Sequence, residues 1–280
     1  MRRPALLLIA LLPALAAAPA RAQFAGTADL SGELAAIGAQ AQAQKALAES
    51  LPPLGVEAAP DVGPYAVRGV DVSHYQGAVD WSLVAGAGLS FAYIKATQGA
   101  SGLDARFAAN WSGAAAAGLR RGAYHFFDAC RDGASQAANF LKTAPPEDAA
   151  LPAAVDLEPS PSCPNLPSKK LLLQRLDAFL SRVRAAYGGR EPVLYVNVGL
   201  YDRYFRGEPG YRVWISATSR TKPVLSDGRP WTFWQYAVNG RVPGIPRAVD
   251  LDVFYSSPEI LASLGDRAPV AVMLADASTP

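Results

Sequence analysis

The stretch Pro152-Ala-Ala-Val-Asp-Leu-Glu158 decides how this chain is read. It is a short apolar run that ends in two acids, with helical periodicity on either side. Downstream, from near Ser168, Leu172, Leu173, Leu176, Phe179, Leu180 and Val183 recur at helical spacing until Gly188-Gly189, a C-terminal stop signal. Upstream, a second helical pattern runs from about Gly133 to Lys142. Beyond these helices lie two more strand-like runs, Gly122–Phe126 and Pro192–Asn197, rich in Val, Tyr and Phe. Strand, helix, strand, helix, strand is the repeating unit of an α/β sheet with parallel strands.

Further outward the alternation continues. Arg68–Ser73, Ser90–Lys95, Arg212–Ser216, Thr232–Tyr236 and Ala248–Phe254 are the remaining strand candidates, and a helix is expected from about Asp104 to Ala117, ending at Gly118. Eight strands with interspersed helices predict a (β/α) barrel. The last three strands leave no room for full helices between them. The expected fold is therefore α/β, a single distorted TIM-like barrel with an irregular, helix-poor C-terminal third. It occupies residues 66–265, a size typical of one domain.

Residues 1–22 read as a signal peptide: Arg2 and Arg3 give a basic start, Ala5 to Ala18 an apolar stretch, and Ala20-Arg21-Ala22 a small-residue cleavage site. The apolar stretch is too short to cross a bilayer comfortably. The mature protein is thus expected to be periplasmic or secreted, with no integral membrane segment once the signal is removed. Residues 23–65 form an Ala/Gln-rich arm and a linker broken by Pro52, Pro53, Pro60 and Pro64, and 266–280 a flexible tail. Half of the 280 residues are hydrophobic, so a core is amply supplied. The 26 basic and 24 acidic side chains leave a net charge of +2, with no long basic run, which speaks against a nucleic-acid partner. Two Cys and two widely placed His do not give zinc-ligand spacing, so no metal and no cofactor are expected, and the protein is expected to be a monomer.

In a (β/α) barrel the chemistry sits at the C-terminal ends of the strands. Here those ends carry Asp71 and Ser73, Lys95, His125, Asp156 and Glu158, Tyr195 and Asn197, Gln235, Asp250 and Asp252. Strands buried on both faces normally read as unbroken apolar runs, so polar residues at matching ends form a constellation. Asp156 and Glu158, two residues apart on a strand, share a face about 6–7 Å apart. Carboxylates that close resist ionising together, which raises one pKa and suits a general acid. Their structural alternative is an ordinary strand end whose acids cap backbone or pair with Arg. Aromatic residues at the same ends, Tyr75, Tyr124, Tyr195, Trp214, Trp234 and Tyr236, suit stacking against sugar faces, with core packing as the alternative for each.

Six segments in order, Gly69-Val-Asp-Val-Ser-His-Tyr-Gln-Gly77, Tyr93-Ile-Lys-Ala-Thr-Gln-Gly99, Gly122-Ala-Tyr-His-Phe126, Val155-Asp-Leu-Glu158, Trp234-Gln-Tyr236 and Val249-Asp-Leu-Asp252, resemble glycoside hydrolase family 25, the N,O-diacetylmuramidase-type lysozymes. The resemblance covers about residues 67–256. It implies an irregular β/α barrel, peptidoglycan glycan strands as partner, and cleavage of the β-1,4 bond between N-acetylmuramic acid and N-acetylglucosamine. It places the proton donor on Glu158, its partner on Asp156, the first-strand acid on Asp71 and the last-strand acid on Asp250, with Asp252 as the fallback. Tyr124, Tyr195, Trp214, Gln235, Lys95 and Asp252 are the expected substrate contacts. Attack by the substrate's own N-acetyl oxygen is the favoured route, with direct attack by an Asp or inversion through water as alternatives. Two departures stand out: Gln98 replaces the usual Glu, and Ile215-Ser-Ala-Thr-Ser follows Trp214 where the family more often has Ala and an aromatic.

Lys95 is read as neutralising the acids, and both histidines as packing or hydrogen-bonding groups. Cys130 and Cys163 follow neighbouring strands at one barrel end, where they would form a loop-pinning disulfide or remain as two thiols. Two other functions stay open at this point. One is a non-catalytic peptidoglycan-binding barrel; the other is a different barrel hydrolase, chitinase-like or a metal phosphoesterase.

Overall fold

The computed structural model describes residues 62–218 and 221–265. Its strands are β1 (Arg68–Val72), β2 (Phe91–Gln98), β3 (Gly102–Leu103), β4 (Arg120–Phe126), β5 (Ala154–Asp156), β6 (Val193–Asn197), β7 (Arg212–Ser216), β8 (Phe233–Gly240) and β9 (Val249–Phe254). The helices are α1 (Trp81–Gly86), α2 (Phe107–Ala116), α3 (Gly133–Thr143), α4 (Lys169–Ala186) and α5 (Pro258–Ser263), with a helical stretch over residues 198–205. The strand order β1-β9-β8-β7-β6-β5-β4-β2 is closed by pairing of β1 with β2, which makes an eight-stranded barrel. The two-residue β3 folds back antiparallel on the end of β2. The expected distorted α/β barrel is what the chain forms.

Side-chain alternation divides the interior into two cores. Outward residues such as Ala92, Ile94, Val155, Leu194 and Val213 pack under the helices with Phe140, Leu172, Leu176 and Phe179. Inward residues fill the barrel: Phe91 and Tyr93 from β2, Ala154, Val193, Trp214, Phe233 and Phe254. Room for the large rings comes from two glycines. A Cβ on Gly69 would lie 2.5 Å from the Phe91 ring, and one on Gly122 would lie 2.3 Å from Tyr93. Along β2 the inward positions run Phe91, Tyr93, Lys95, apolar at the bottom and charged at the top. The barrel is thus a packed core with a polar mouth.

The helices that hold this mouth follow their sequence signals. Asp132 caps α3 by accepting from the Ser135 backbone amide, and α4 ends where Gly188 and Gly189 take positive φ. Helices α3 and α4 approach so closely that a Cβ on Gly133 would collide with the Arg175 carbonyl at 1.8 Å.

One expectation needs correcting. The last strand does not run parallel with the others: β9 is antiparallel to both β1 and β8. Asp250 therefore lies at the start of its strand rather than the end, and still reaches the mouth. The link from β8 to β9, residues 241–248, is shorter than the dozen or so residues a parallel crossover needs, so the chain turns straight back. Val62 is buried and the Tyr65 ring lies 5.2 Å from that of Trp231, so the end of the Pro-rich linker packs on the barrel. The proposed signal peptide, most of the 23–65 arm and the 266–280 tail lie outside the described residues. No helix among the described residues is long and apolar enough to cross a membrane.

Candidate active site

The barrel mouth opens into a cleft of ≈ 340 Å³ lined by Asp71 of β1, Lys95 of β2, Tyr124 of β4, Asp156 and Glu158 of β5 and its continuation, Tyr195 of β6, Trp214 of β7, Gln235 of β8 and Asp250 of β9. Eight strands thus bring together nine of the ten predicted catalytic and substrate-contact residues. Sheet bonding continues past β5, with Phe127 N donating to Asp156 O and Leu157 N donating to Tyr195 O. That keeps Glu158 in strand parity with Asp156, both facing inward.

The tenth residue, Asp252, is displaced from the expected lining. It is 0% exposed, one layer below the mouth, where it accepts from Trp214 Nε1 at 2.8 Å. The antiparallel course of β9 explains this, because two residues further along the chain now leads down into the barrel. Trp234 and Tyr236 are also not in the mouth. They flank the inward Gln235, so alternation turns them outward, where Trp234 packs on Trp231 and Tyr65.

Gln235 is the hub of the wall opposite Glu158. Only 2% exposed, it donates from Nε2 to Asp71 Oδ2 at 2.8 Å. Its Oε1 accepts from Tyr195 Oη and Ser216 Oγ, both at 2.8 Å. Asp71 and Asp250 are directly paired across β1 and β9. The carboxyl groups of Asp252 and Asp250 lie close enough to Asp71 to influence its titration, and any hydrogen bond between two of them requires a proton on one.

Burial raises the pKa of every acid in this group, and repulsion from neighbouring carboxylates adds to it at Asp71, Asp156 and Asp250. Loss of solvation is the largest cause throughout. It pushes Asp250 to about 9, with help from the charges of Asp71 and Glu158. Asp71 rises to about 6, held back by its bonds to Gln235 and Asp252. Asp156 stands well above the usual carboxylate range through burial and the nearby Glu158 charge. Glu158 is raised by burial, against the opposing pull of the Tyr195 hydroxyl and Lys95. Burial lowers the Lys95 pKa, with Asp156, Asp104 and Glu158 restoring part of it. Lys95 Nζ donates to Gln98 Oε1 at 3.0 Å and sits 4.5 Å above the Phe126 ring. Asp156 Oδ1 is buried and accepts from no protein donor among the described residues.

The remaining candidates surround the mouth. His125 points away from the cleft, bonding Thr97 Oγ1 at 2.7 Å and Gln136 Oε1 at 3.1 Å and stacking on Phe179; burial lowers its pKa to about 4. His74 Nδ1 bonds Asp104 at 2.8 Å. Cys130 and Cys163 are disulfide-bonded, tying the loop after β4 to the loop after β5. The one grouping of metal-ligating atoms among the described residues, Asp128 with these two cysteines, has its sulfurs consumed by that bond. Reasoning from sequence passed over Gln76, Phe126 and Ser216 as part of the site. Ser216 could have been found by counting two from Trp214, and Gln76 from the Ser73-x-x-Gln76 capping-box pattern, which the structure forms.

Residues 70–245 match the family described as glycosyl hydrolases family 25. Lysozyme M1 of Streptomyces globisporus is 35% identical over 230 residues, covering 76% of this chain and 78% of its own. An N,O-diacetylmuramidase of Arthroderma benhamiae is 30% identical over 64% of this chain and 80% of its own. Among solved structures, a family 25 glycosyl hydrolase from Bacillus anthracis superposes with a TM-score of 0.70 at 34% identity, covering 75% of this chain and 99% of its own.

Proposed function

The chain belongs to glycosyl hydrolase family 25 and is a glycoside hydrolase; on that premise we propose that it is an exported muramidase in which Glu158 is the general acid. The substrate is peptidoglycan, cut at the β-1,4 bond between N-acetylmuramic acid and N-acetylglucosamine, in the periplasm or outside the cell. The names of the related lysozymes and the basic, apolar, small-residue pattern of residues 1–22 support substrate and export.

The observation that supports the mechanism is the different surroundings of the β5 pair. Glu158 is raised in pKa by burial and remains open to the cleft, so it keeps a proton more readily than an exposed carboxyl and can deliver it to the glycosidic oxygen. Asp156 has a buried oxygen lacking a protein donor, and the N–H of the sugar's acetamido group is a donor of the right kind. Holding that N–H turns the acetamido carbonyl oxygen toward the anomeric carbon. As the proton passes from Glu158 to the leaving oxygen, the C1–O bond breaks and the carbonyl oxygen bonds to C1. The Glu158 carboxylate then takes a proton from water, which opens the ring with overall retention. Asp71 and Asp250 lie on the facing wall, and their charges help raise the pKa of Asp156.

The test is digestion of purified peptidoglycan with the mature protein and with Glu158→Gln, the new reducing ends being identified by mass spectrometry. Reducing N-acetylmuramic acid ends from the wild type alone are expected. Absence of new ends from every wall tested would favour a barrel that binds glycan without cutting it.

A further inference from the structure

A second opening of ≈ 520 Å³ lies beside the cleft described above. The two share Lys95 and no other lining residue. Their walls differ in kind. Tyr75, Tyr124, Tyr195 and Trp214 line the first, whereas the second has no Tyr, Trp or Phe and so no surface suited to a stacked sugar ring. In their place it has the turn from Gly99 to Leu103, the Arg131 side chain and the 68% exposed Leu103.

The turn is held in position: Asn139 Nδ2 donates to the carbonyls of Gly99 and Gly102, at 3.0 and 3.1 Å. The acids of this opening are already engaged. Asp104 accepts from His74 Nδ1 and from the backbone amides of His74 and Arg106, while Asp128 accepts from the Cys130 amide and Ser162 Oγ. Arg131 is engaged far less. Its Nε lies 3.9 Å from Asp128 and its side chain is 70% exposed. The opening therefore offers an anion-seeking guanidinium, a fixed backbone wall and an apolar side chain, one step from the catalytic mouth. Such a combination matches a short acidic peptide better than a sugar.

We propose that this second cleft seats the peptide attached to the lactyl group of the muramic acid, with Arg131 taking a peptide carboxylate and Leu103 covering an alanine side chain. The inference rests on the muramidase reading, because only that substrate carries a peptide branch beside the scissile bond. Lys95, at the junction, faces both the glycan and the start of the branch.

The test compares initial rates on glycan strands that keep their peptides with rates on the same strands stripped by an amidase, using wild type, Arg131→Ala and Arg131→Glu. Wild type is expected to cut peptide-bearing strands faster. Arg131→Ala is expected to lose about fivefold in kcat/KM on those strands, and less than about twofold on stripped ones. Arg131→Glu should lose roughly tenfold or more on peptide-bearing strands alone. An equal loss on both substrates would assign the opening to sugar binding and overturn the proposal, as would no loss on either. Failure of the wild type to cut either strand would instead remove the muramidase reading itself. Arg131 is solvent-exposed, so an unchanged melting temperature is expected to accompany each variant.

Discussion

The barrel mouth holds two acid-x-acid pairs, and they meet opposite fates. Asp156-Leu-Glu158 leaves the sheet upward, and both carboxyl groups open into the cleft. Asp250-Leu-Asp252 enters the sheet downward, so Asp250 faces the cleft while Asp252 is sealed beneath it. The difference comes from strand direction alone, since β5 is parallel to its neighbours and β9 antiparallel. Protein partners follow suit. On the β9 side Asp252 accepts from Trp214, and Asp71, which pairs with Asp250 across the strands, accepts from Gln235. Each pair retains one buried oxygen without a protein donor among the described residues, Asp156 Oδ1 and Asp252 Oδ2, but only Asp156 lines the cleft. A molecule in the cleft can reach the β5 pair, whereas Asp252 is sealed off beneath it.

The comparison breaks if the pairs prove interchangeable, and the largest effect tests that first. Glu158→Gln is expected to lower kcat on peptidoglycan by about 10³-fold, within the range for removing a general acid, with the melting temperature held or slightly raised. Turnover assays beside thermal unfolding check this, and a loss below tenfold would move the acid elsewhere. Next comes the tether of the β5 wall. Replacing both Cys130 and Cys163 by Ala opens a loop closed over a sequence separation of 33 and should cost about 4 kcal/mol by chain entropy, read from urea unfolding. Wild type in reductant should behave alike.

Asp156→Asn is expected to lower kcat by about 10²-fold with a smaller change in KM, because an amide holds the acetamido N–H less firmly than a carboxylate. Steady-state kinetics on a soluble glycan separates the two. The smallest effect belongs to the β9 side. Asp71 and Asp250 have folded-state pKa values of about 6 and about 9, above those of the unfolded chain, so the native state binds more protons. Stability is then greatest near pH 4 and falls as pH rises toward 9. Asp250→Asn removes part of that slope and should raise the melting temperature by about 2–4 °C at pH 8.5, with no gain at pH 4. Calorimetry at both pH values decides it.

Much of this was legible before the structure. All eight barrel strands coincide with the predicted runs to within a few residues, because a strand buried on both faces reads as Val, Ile, Tyr and Phe bounded by turn residues. Helix α4 matches its Leu and Phe spacing and its glycine stop. Strand direction was less readable, since period-two alternation is the same up or down; only the short 241–248 link carried a hint. That ambiguity misplaced Asp252. Facing was left open at Trp234 and Tyr236 for a related reason, as aromatic type says nothing of parity, whereas their neighbour Gln235 sets it. The two-residue β3 was invisible because it lacks any apolar pattern, yet it builds a wall of the second opening.

The antiparallel last strand also sets the order in which the molecule can come together. Asp71 pairs with Asp250 across 250 − 71 = 179 positions of chain, among the most distant contacts a polypeptide this size can make. Contacts of such sequence separation form late, after the local β-α units have settled. Until β9 slides between β1 and β8, Asp71 stays hydrated and Trp214 lacks its acceptor. A polypeptide ending before residue 249 would have the β5 pair in place but would lack Asp250 and Asp252 beside Asp71.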